Sequence, residues 1–505
     1  MIMVHCIMGS LADGVEQPQW IKELLEIAPS ARNKEVLEVI TGNAAARARR
    51  NVFLARITPM QKLQARIRSL IALCLFAWSF PATAAVVFVR WLLHKLVGKP
   101  EPRVRPNGPR KTLVLTGAKM SKSMHTARHF SRIGWRVVAI EHHKYWMSGT
   151  RFSNCVDAFH TVPPPDVDLV GYLKAMRRIL AKEKADIYMP TSTALLEVYD
   201  ALVLDVLPPG CVPWTLDAAT TAQLNNKARF SALCRDVGVR SPAYFHIATK
   251  QQLLDFNKKP EIFKGKRFLL KSIAYDCISR SELFTLPCDQ ARLERHVESI
   301  DLDPTHPWML QQFLEGVEYS SYSIVHRGRV VAHADTKAEL NNFRYGQVDS
   351  TQMWEWVTAF CAAGKYTGNL CFDFIQDTHD GLLYPTECNP RISSINTQFH
   401  DHPALATAFT DPESIGKCLK PMPGSAHIYW WWGEFWTAVT GGDYATWWHL
   451  VTAGKDGVFD LDDPLPFLFY NYLQIPVLLM RNVLGGNPWK KIDFCIGKLI
   501  EMYGD

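Results

Sequence analysis

The clearest chemistry in this chain lies around position 380. Residues 370–376 (Leu-Cys-Phe-Asp-Phe-Ile-Gln) and 383–391 (Leu-Tyr-Pro-Thr-Glu-Cys-Asn-Pro-Arg) flank a polar turn at 378–381. Read as two strands, side-chain alternation puts Asp373 on one and Glu387 and Asn389 on the next, all facing one way. Two carboxylates and a carboxamide oxygen suit Mg²⁺, a hard ion that takes oxygen ligands and bridges substrate phosphates. Arg391 continues that face and offers a planar cation to an anionic substrate or a developing phosphate. Taken alone, this pattern is equally a hairpin with polar residues facing water. The residues upstream decide between the two.

Four segments stand in order. Gln-Leu-Asn-Asn-Lys-Ala-Arg-Phe at 223–230 is followed by Gly-Val-Arg-Ser-Pro at 238–242. Arg-Phe-Leu-Leu-Lys-Ser at 267–272 reads as a strand ending in Lys271, and Trp-Met-Leu-Gln-Gln-Phe-Leu-Glu-Gly-Val-Glu-Tyr-Ser occupies 308–320. With the acidic hairpin, they resemble the ATP-grasp superfamily in both order and spacing. That resemblance implies an α/β, ATP-grasp fold: a preceding α/β domain plus two α+β lobes. It also implies ATP as cofactor with Mg²⁺ (or Mn²⁺), held by Asp373, Glu387 and Asn389. Lys227 and Lys271 would reach the nucleotide phosphates. Gln311, Gln312, Phe313 and Leu314 would form the hinge whose backbone reads adenine, and Glu318 would bond the ribose. Arg391 and Lys271 would be the catalytic cations. Ser393, Ser394 and Asn396 follow Arg391 and are expected to hold the acceptor. His400 is near enough in sequence to line the same cleft, although a capping or core histidine is as plain a reading. The loop after Lys271 departs from the pattern, since 272–280 contains no glycine to cradle phosphates. Ser272, Ser279 and Arg280 are the side chains that could replace it.

A narrower resemblance lies further upstream. Residues 115–130 and 134–154 are similar to the mycosporine-glycine synthases, the ATP-grasp ligases of mycosporine-like amino acid biosynthesis, which also carry an apolar segment before this unit. The implied acceptor is 4-deoxygadusol, an enolised cyclic diketone, with glycine as the amine. Phosphorylation of the enol oxygen would turn a poor leaving group into a good one, and the amine would then displace phosphate. Two other readings stay open. One is a ligase joining an amino acid to an ordinary carboxylate; the other is a non-catalytic, membrane-bound nucleotide-sensing scaffold.

The elements that must position these residues show in the apolar patterning. From Lys111, short apolar runs alternate with helical stretches, the signature of a parallel α/β unit. Its first turn, Thr-Gly-Ala-Lys at 116–119, lacks the G-x-G-x-x-G spacing, so no cofactor is assigned there. The expected domains are a helical basic arm (1–68), an apolar hairpin or interfacial anchor (69–100), a proline-rich linker (101–110), an α/β domain (111–210), two lobes (211–305 and 306–425) and a tryptophan-rich extension (426–505). Helical spacing starts at about residue 15 and runs to about 40.

The chain has 505 residues and a net charge of +7, but ten Lys/Arg and no Asp or Glu fall within 41–100, leaving −3 for the rest. Such local basicity argues against a nucleic-acid partner. The twelve cysteines form no C-x-x-C pair, which fits reduced thiols in a cytosolic compartment. Residues 69–89 form the longest uncharged run, and twenty-one residues is just enough to cross a bilayer. Basic residues on both flanks (Arg47, Arg49, Arg50, Arg56, Lys62, Arg66 and Arg68 before, Arg90, Lys95 and Lys99 after) favour one cytoplasmic side. Ser79 and Pro81 weaken a straight helix. A re-entrant hairpin or an interfacial helix on anionic lipid is therefore expected. Packing against the enzyme is the competing reading, for this segment and for the tryptophan-rich tail.

Overall fold

The computed structural model describes residues 19–98, 104, 108–191, 193–273, 284–304, 306–338 and 344–502. Most of the expected linker, residues 15–18 of the first helical stretch, and Ser279 and Arg280 lie outside them.

The first sheet is parallel throughout: β1 (Thr112–Leu115), β2 (Arg136–His142), β3 (Ala158–Val162), β4 (Ile187–Met189) and β5 (Val212–Pro213), in the order β3-β2-β1-β4-β5. Both faces of its central strands are covered, which is why β1 and β2 read as unbroken apolar runs, with Leu113, Val114, Leu115 and Val137 to Ile140 all 0% exposed. Strand order reverses between β1 and β4, so the loops leaving these two strands border one crevice. Gly117 makes the turn after β1 at φ +69°, where a Cβ would stand 2.7 Å from Thr191 Oγ1. Only glycine allows that backbone angle and approach together. The helix Ser121–Arg132 follows.

A small antiparallel sheet comes next, ordered β6-β9-β7-β8, from β6 (Tyr244–Ile247), β7 (Phe268–Ser272), β8 (Thr285–Leu286) and β9 (Trp308–Gln312). The third sheet has seven strands in the order β14-β13-β10-β11-β12-β15-β16. Its strands are β10 (Gly316–His326), β11 (Arg329–Ala338), β12 (Arg344–Val348), β13 (Gly368–Asp377), β14 (Leu383–Asn389), β15 (Ile428–Tyr429) and β16 (Lys455–Asp456). A parallel α/β unit followed by two α+β units is the ATP-grasp arrangement that the resemblance implies. The tryptophan-rich segment adds β15 and β16 to the third sheet and packs as structure rather than as a tail, with Trp430 only 1% exposed.

The N-terminal helices Gln19–Ile27 and Lys34–Ala55 pack on the first sheet, where Ile21, Leu24 and Val36 share a core with Val114 and Tyr172. Helix Pro59–Val97 starts at a capping box, with Gln61 N donating to Thr58 Oγ1 (3.2 Å) and Thr58 N to Gln61 Oε1 (2.9 Å). It then runs unbroken through Pro81. The hairpin expectation is therefore corrected: the segment is one helix of 39 residues, about 58 Å long. An internal proline costs a helix about 3 kcal/mol, and packing on either side of Pro81 offsets it. Phe76 lies against Trp432 with ring centroids 4.7 Å apart, and Tyr472 Oη donates to Thr83 Oγ1 at 2.7 Å. Further along the helix, Ser69 Oγ bonds Asn482 Oδ1 (3.0 Å) on helix Ile475–Gly485 and accepts from Trp489 Nε1 (3.0 Å) on β17 (Trp489–Asp493), which pairs with β18 (Lys498–Glu501).

Phe372 anchors the aromatic cluster beneath the third sheet, 0% exposed among Phe230, Trp356, Phe360 and Phe374. Phe372→Ala should destabilise this unit by about 3–5 kcal/mol through the cavity it leaves. The check is the urea midpoint of the tryptophan-fluorescence transition, and an unchanged midpoint would mean that the cluster collapses without cost.

Candidate functional site

The expected hairpin is β13 and β14, and its register sets Asp373 directly opposite Glu387, with Cys371 opposite Asn389. The Asn389 amide donates to Asp373 Oδ2 (3.0 Å), and the Ser320 hydroxyl on β10 donates to Asp373 Oδ1 (2.5 Å). All three predicted metal ligands thus sit within one hydrogen-bonded patch. Burial first, then the charge of Glu387, raises the Asp373 carboxyl to about 7. Two crowded carboxylates and an amide oxygen are a donor set that a hard divalent cation fits, because it relieves the repulsion between them.

One helix and one strand of the small sheet supply the lysines. Lys227 opens the helix Lys227–Asp236, whose cap Asn226 accepts from Ala228 N and Arg229 N (both 3.1 Å). Its Nζ lies 3.6 Å from Glu387 Oε2. Lys271, on β7, donates to Gln311 Oε1 (2.7 Å) on the neighbouring β9, and Gln311 Nε2 reaches the Thr386 carbonyl of β14 at 3.4 Å. Gln311 therefore bridges the two sheets. In the hinge, Gln312 N and Phe313 N are committed to the carbonyls of Ala243 (2.7 Å) and Arg267 (2.8 Å). Of the backbone N–H groups in the segment expected to read adenine, these two are therefore taken. Glu318 is exposed on β10, opposite Ile375.

Beyond Asn389, Arg391 is held through one nitrogen by two partners. Its Nη1 bonds Asn389 Oδ1 (2.8 Å) and the carboxylate of Glu197, and its side chain stays 21% exposed. Burial works against its charge, but Glu197, Glu387 and Asp373 keep its pKa above the ordinary value. Lys122 Nζ donates to the Ile392 carbonyl (2.6 Å), and burial, with Arg391 nearby, brings it down to about 7. Ser393 Oγ caps the short helix Ser394–Phe399 by accepting from Ile395 N (3.3 Å). Ser394 and Asn396 point into the core, one against Cys495 Sγ (2.8 Å) and the other against Thr126 Oγ1 (3.3 Å). The short helix carries His400 onward to a small cavity with His125, Arg128, Arg132 and Lys455. The expectation that it shares the cleft of Arg391 is corrected on that ground.

Lys122 and Glu197 were not legible as site residues. Both lie in the parallel unit, in loops or short helices that follow β1 and β4 where strand order reverses. That topological position was the one signal available for them. Beside them, Asp200 is 5% exposed, accepts from Tyr172 Oη, and lines a cavity with Gly117, Lys119, Glu141 and Thr193.

No family model matches the chain, and no curated protein matches it. Among solved structures it is similar to an L-amino acid ligase from Bacillus licheniformis, at 15% identity over 58% of this chain and 70% of that one, with a TM-score of 0.42. It is also similar to N5-carboxyaminoimidazole synthetase from Staphylococcus aureus (14% identity, 59% and 74% covered, TM-score 0.44). A biotin carboxylase from Campylobacter jejuni gives 14% identity, 62% and 74% covered, and a TM-score of 0.45. At identities and TM-scores this low, no likeness assigns an activity to this chain.

Burial raises the Asp200 carboxyl to about 7, partly opposed by the Tyr172 hydrogen bond. A carboxyl whose folded pKa lies above its unfolded value binds more protons folded than unfolded, so its contribution to stability falls as pH rises from about 4 to about 7. Asp200→Asn removes that titration while keeping an acceptor for Tyr172. The loss of melting temperature between roughly pH 5 and 8 should be shallower in the variant. Parallel melting curves for the two proteins would count against it.

Proposed function

We propose that the protein is an ATP-dependent carbon–nitrogen ligase. It phosphorylates an enolised cyclic diketone of the 4-deoxygadusol type, joins it to an amino acid, glycine foremost, and releases ADP and phosphate. The observation that carries this reading is the convergence of Asp373, Glu387 and Asn389 from the large sheet with Lys227, 3.6 Å from Glu387, and Lys271, linked through Gln311. When bound, Mg²⁺–ATP supplies the phosphoryl group and spreads its charge. Asp373, Glu387 and Asn389 would hold the metal, Lys227 and Lys271 the phosphates, Gln312 to Leu314 the adenine and Glu318 the ribose. Arg391 faces the acceptor and stabilises its anionic oxygen. Ser393 supports that wall through its cap, and Ser394 and Asn396 support it from behind. Positioning and charge neutralisation do the work. The nearby thiols of Cys371 and Cys495 are pushed up to about 12, burial being the main cause, so neither supplies a thiolate nucleophile.

The test is purified protein with ATP, Mg²⁺, 4-deoxygadusol and a panel of amino acids. ADP, phosphate and a product with shifted near-ultraviolet absorption are expected. AMP and pyrophosphate would overturn the mechanism, and amide formation only from a plain carboxylate would overturn the acceptor. Asp373→Asn and Glu387→Gln should each lower turnover by at least about 10²-fold and weaken Mg²⁺-dependent nucleotide binding in calorimetry. Near-normal values in both would remove the metal assignment.

We also infer that the protein is cytoplasmic and attached to a membrane through helix Pro59–Val97. One stripe of this helix (Ala65, Ser69, Phe76, Val87) lies on the protein, while Leu70, Ile71, Trp78, Val86, Phe88, Leu93 and Leu96 are exposed. Only 11% of its most apolar 18-residue stretch is buried. Because the contacts run along the helix, an orientation in the plane of the membrane fits better than a crossing. Exposed Trp436 and Trp448 extend the apolar surface. The arm is not a loose basic tether: Arg47 bonds the Asp166 carbonyl, Arg50 the Glu501 carboxylate and Arg68 the Trp489 carbonyl. Replacing Arg56, Lys62 and Arg90 by glutamine should reduce flotation with vesicles containing phosphatidylserine, each cation contributing about 1 kcal/mol at low salt. A full-length protein that stays soluble without lipid or detergent would overturn the membrane reading.

A further inference from the structure

Glu197 is 3% exposed, and its two carboxylate oxygens have different surroundings. Oε1 accepts from Arg391 Nη1, whereas Oε2 has no hydrogen-bond partner among the described residues. A buried carboxylate oxygen without a donor is costly, so a donor brought by a ligand would be favoured at this atom. Its position indicates which one. From Oε1 a hydrogen-bonded chain runs through Arg391 to Asn389 Oδ1 (2.8 Å) and from the Asn389 amide to Asp373 Oδ2 (3.0 Å). Glu197 thus lies on the acceptor side of the metal-ligand patch, while the phosphate-facing lysines lie on the other.

We propose that Glu197 is a catalytic residue of the second half-reaction, in which Oε2 receives the ammonium group of the amino-acid substrate and takes a proton from it. This rests on the ligase reading above. An amino acid arrives as an ammonium ion with no lone pair to attack, so a proton must leave before the carbon–nitrogen bond forms. One proton passes from nitrogen to Glu197 Oε2, and the freed lone pair bonds the carbon that bears the phosphoryl oxygen. The carbon–oxygen bond then breaks, and phosphate leaves with its electron pair. The second proton on nitrogen goes to the departing phosphate. Burial raises the Glu197 carboxyl to about 7 against the lowering by Arg391 and Lys122, with Glu387 and Asp200 adding to the rise. A carboxylate of that basicity, beside two cations, is poised to take a proton near neutral pH.

The experiment compares full-length wild type with Glu197→Gln in three assays. The first is acceptor-dependent positional isotope exchange in ¹⁸O-labelled ATP without amine, which reports phosphorylation alone. The second is product formation with glycine across pH. The third is product formation with hydroxylamine, an amine already unprotonated at neutral pH. Exchange should fall by no more than about tenfold, through the lost partner of Arg391, whereas the glycine rate should fall about 10²–10⁴-fold with loss of the acidic limb of its pH profile, and hydroxylamine should restore most of the difference. An equal loss in exchange would show that Glu197 only positions Arg391, and an unchanged glycine rate or no rescue by hydroxylamine would equally overturn the proposal. If Glu197→Gln does not fold, Glu197→Asp keeps the charge facing Arg391 and is put to the same assays: a fall confined to the glycine rate supports the proposal, and a fall in exchange overturns it. Wild type that shows no acceptor-dependent exchange would instead remove the ligase reading.

Discussion

A largely buried guanidinium must have an anion, and Arg391 takes its own from a different unit of the fold, the helix Glu197–Ala201 that follows β4. The chain could have paired it locally with Asp373 or Glu387, but those two carboxylates already crowd each other across the β13–β14 pair. Pairing with Glu197 ties the carboxyl end of the parallel sheet to the end of β14. Lys122, bonded to the Ile392 carbonyl from the same parallel unit, makes the tie a double one. Because these groups are buried, breaking one partner leaves an uncompensated charge, so the two units are held in one relative placement. The crevice between them depends on that placement, and so does the line from Lys227 and Lys271 to Arg391.

The face that gathers the two carboxylates and the carboxamide was legible because it is local. Alternation along two short strands joined by a tight turn places Asp373, Glu387 and Asn389 without knowledge of the rest of the fold, and the register bears that alternation out. The lysines and the hinge were legible through order and spacing. What stayed hidden depends on distance along the chain: Arg391 and Glu197 are 194 positions apart, and no periodicity connects them. The parallel unit itself could be read from alternating runs, but its contribution to chemistry could not, since lysine and glutamate in loops usually face water.

The apolar helix shows the opposite case. Ser79 and Pro81 are genuine local breakers, and a hairpin was the proper inference from local rules. Tertiary contacts overrode them, with Phe76, Thr83 and Trp432 holding the helix straight on either side. The tryptophan-rich segment read as either an interfacial or a packed tail, and its patterning could not choose: part of it completes a sheet and only some of its rings reach the surface. Patterning shows that a surface is apolar. It does not say how much of that surface the protein covers with itself.

That cover has an order in time. Helix Pro59–Val97 is made before its packing partners, Tyr472, Asn482 and Trp489, each of which lies several hundred positions further along the chain. At roughly 5–20 residues per second, the nascent chain carries a long uncovered apolar helix for tens of seconds before anything in its own sequence can shield it. Throughout that interval the helix is open to a bilayer or a chaperone along its full circumference. The partner it meets first during synthesis therefore has a kinetic advantage over the one that it meets in the finished fold.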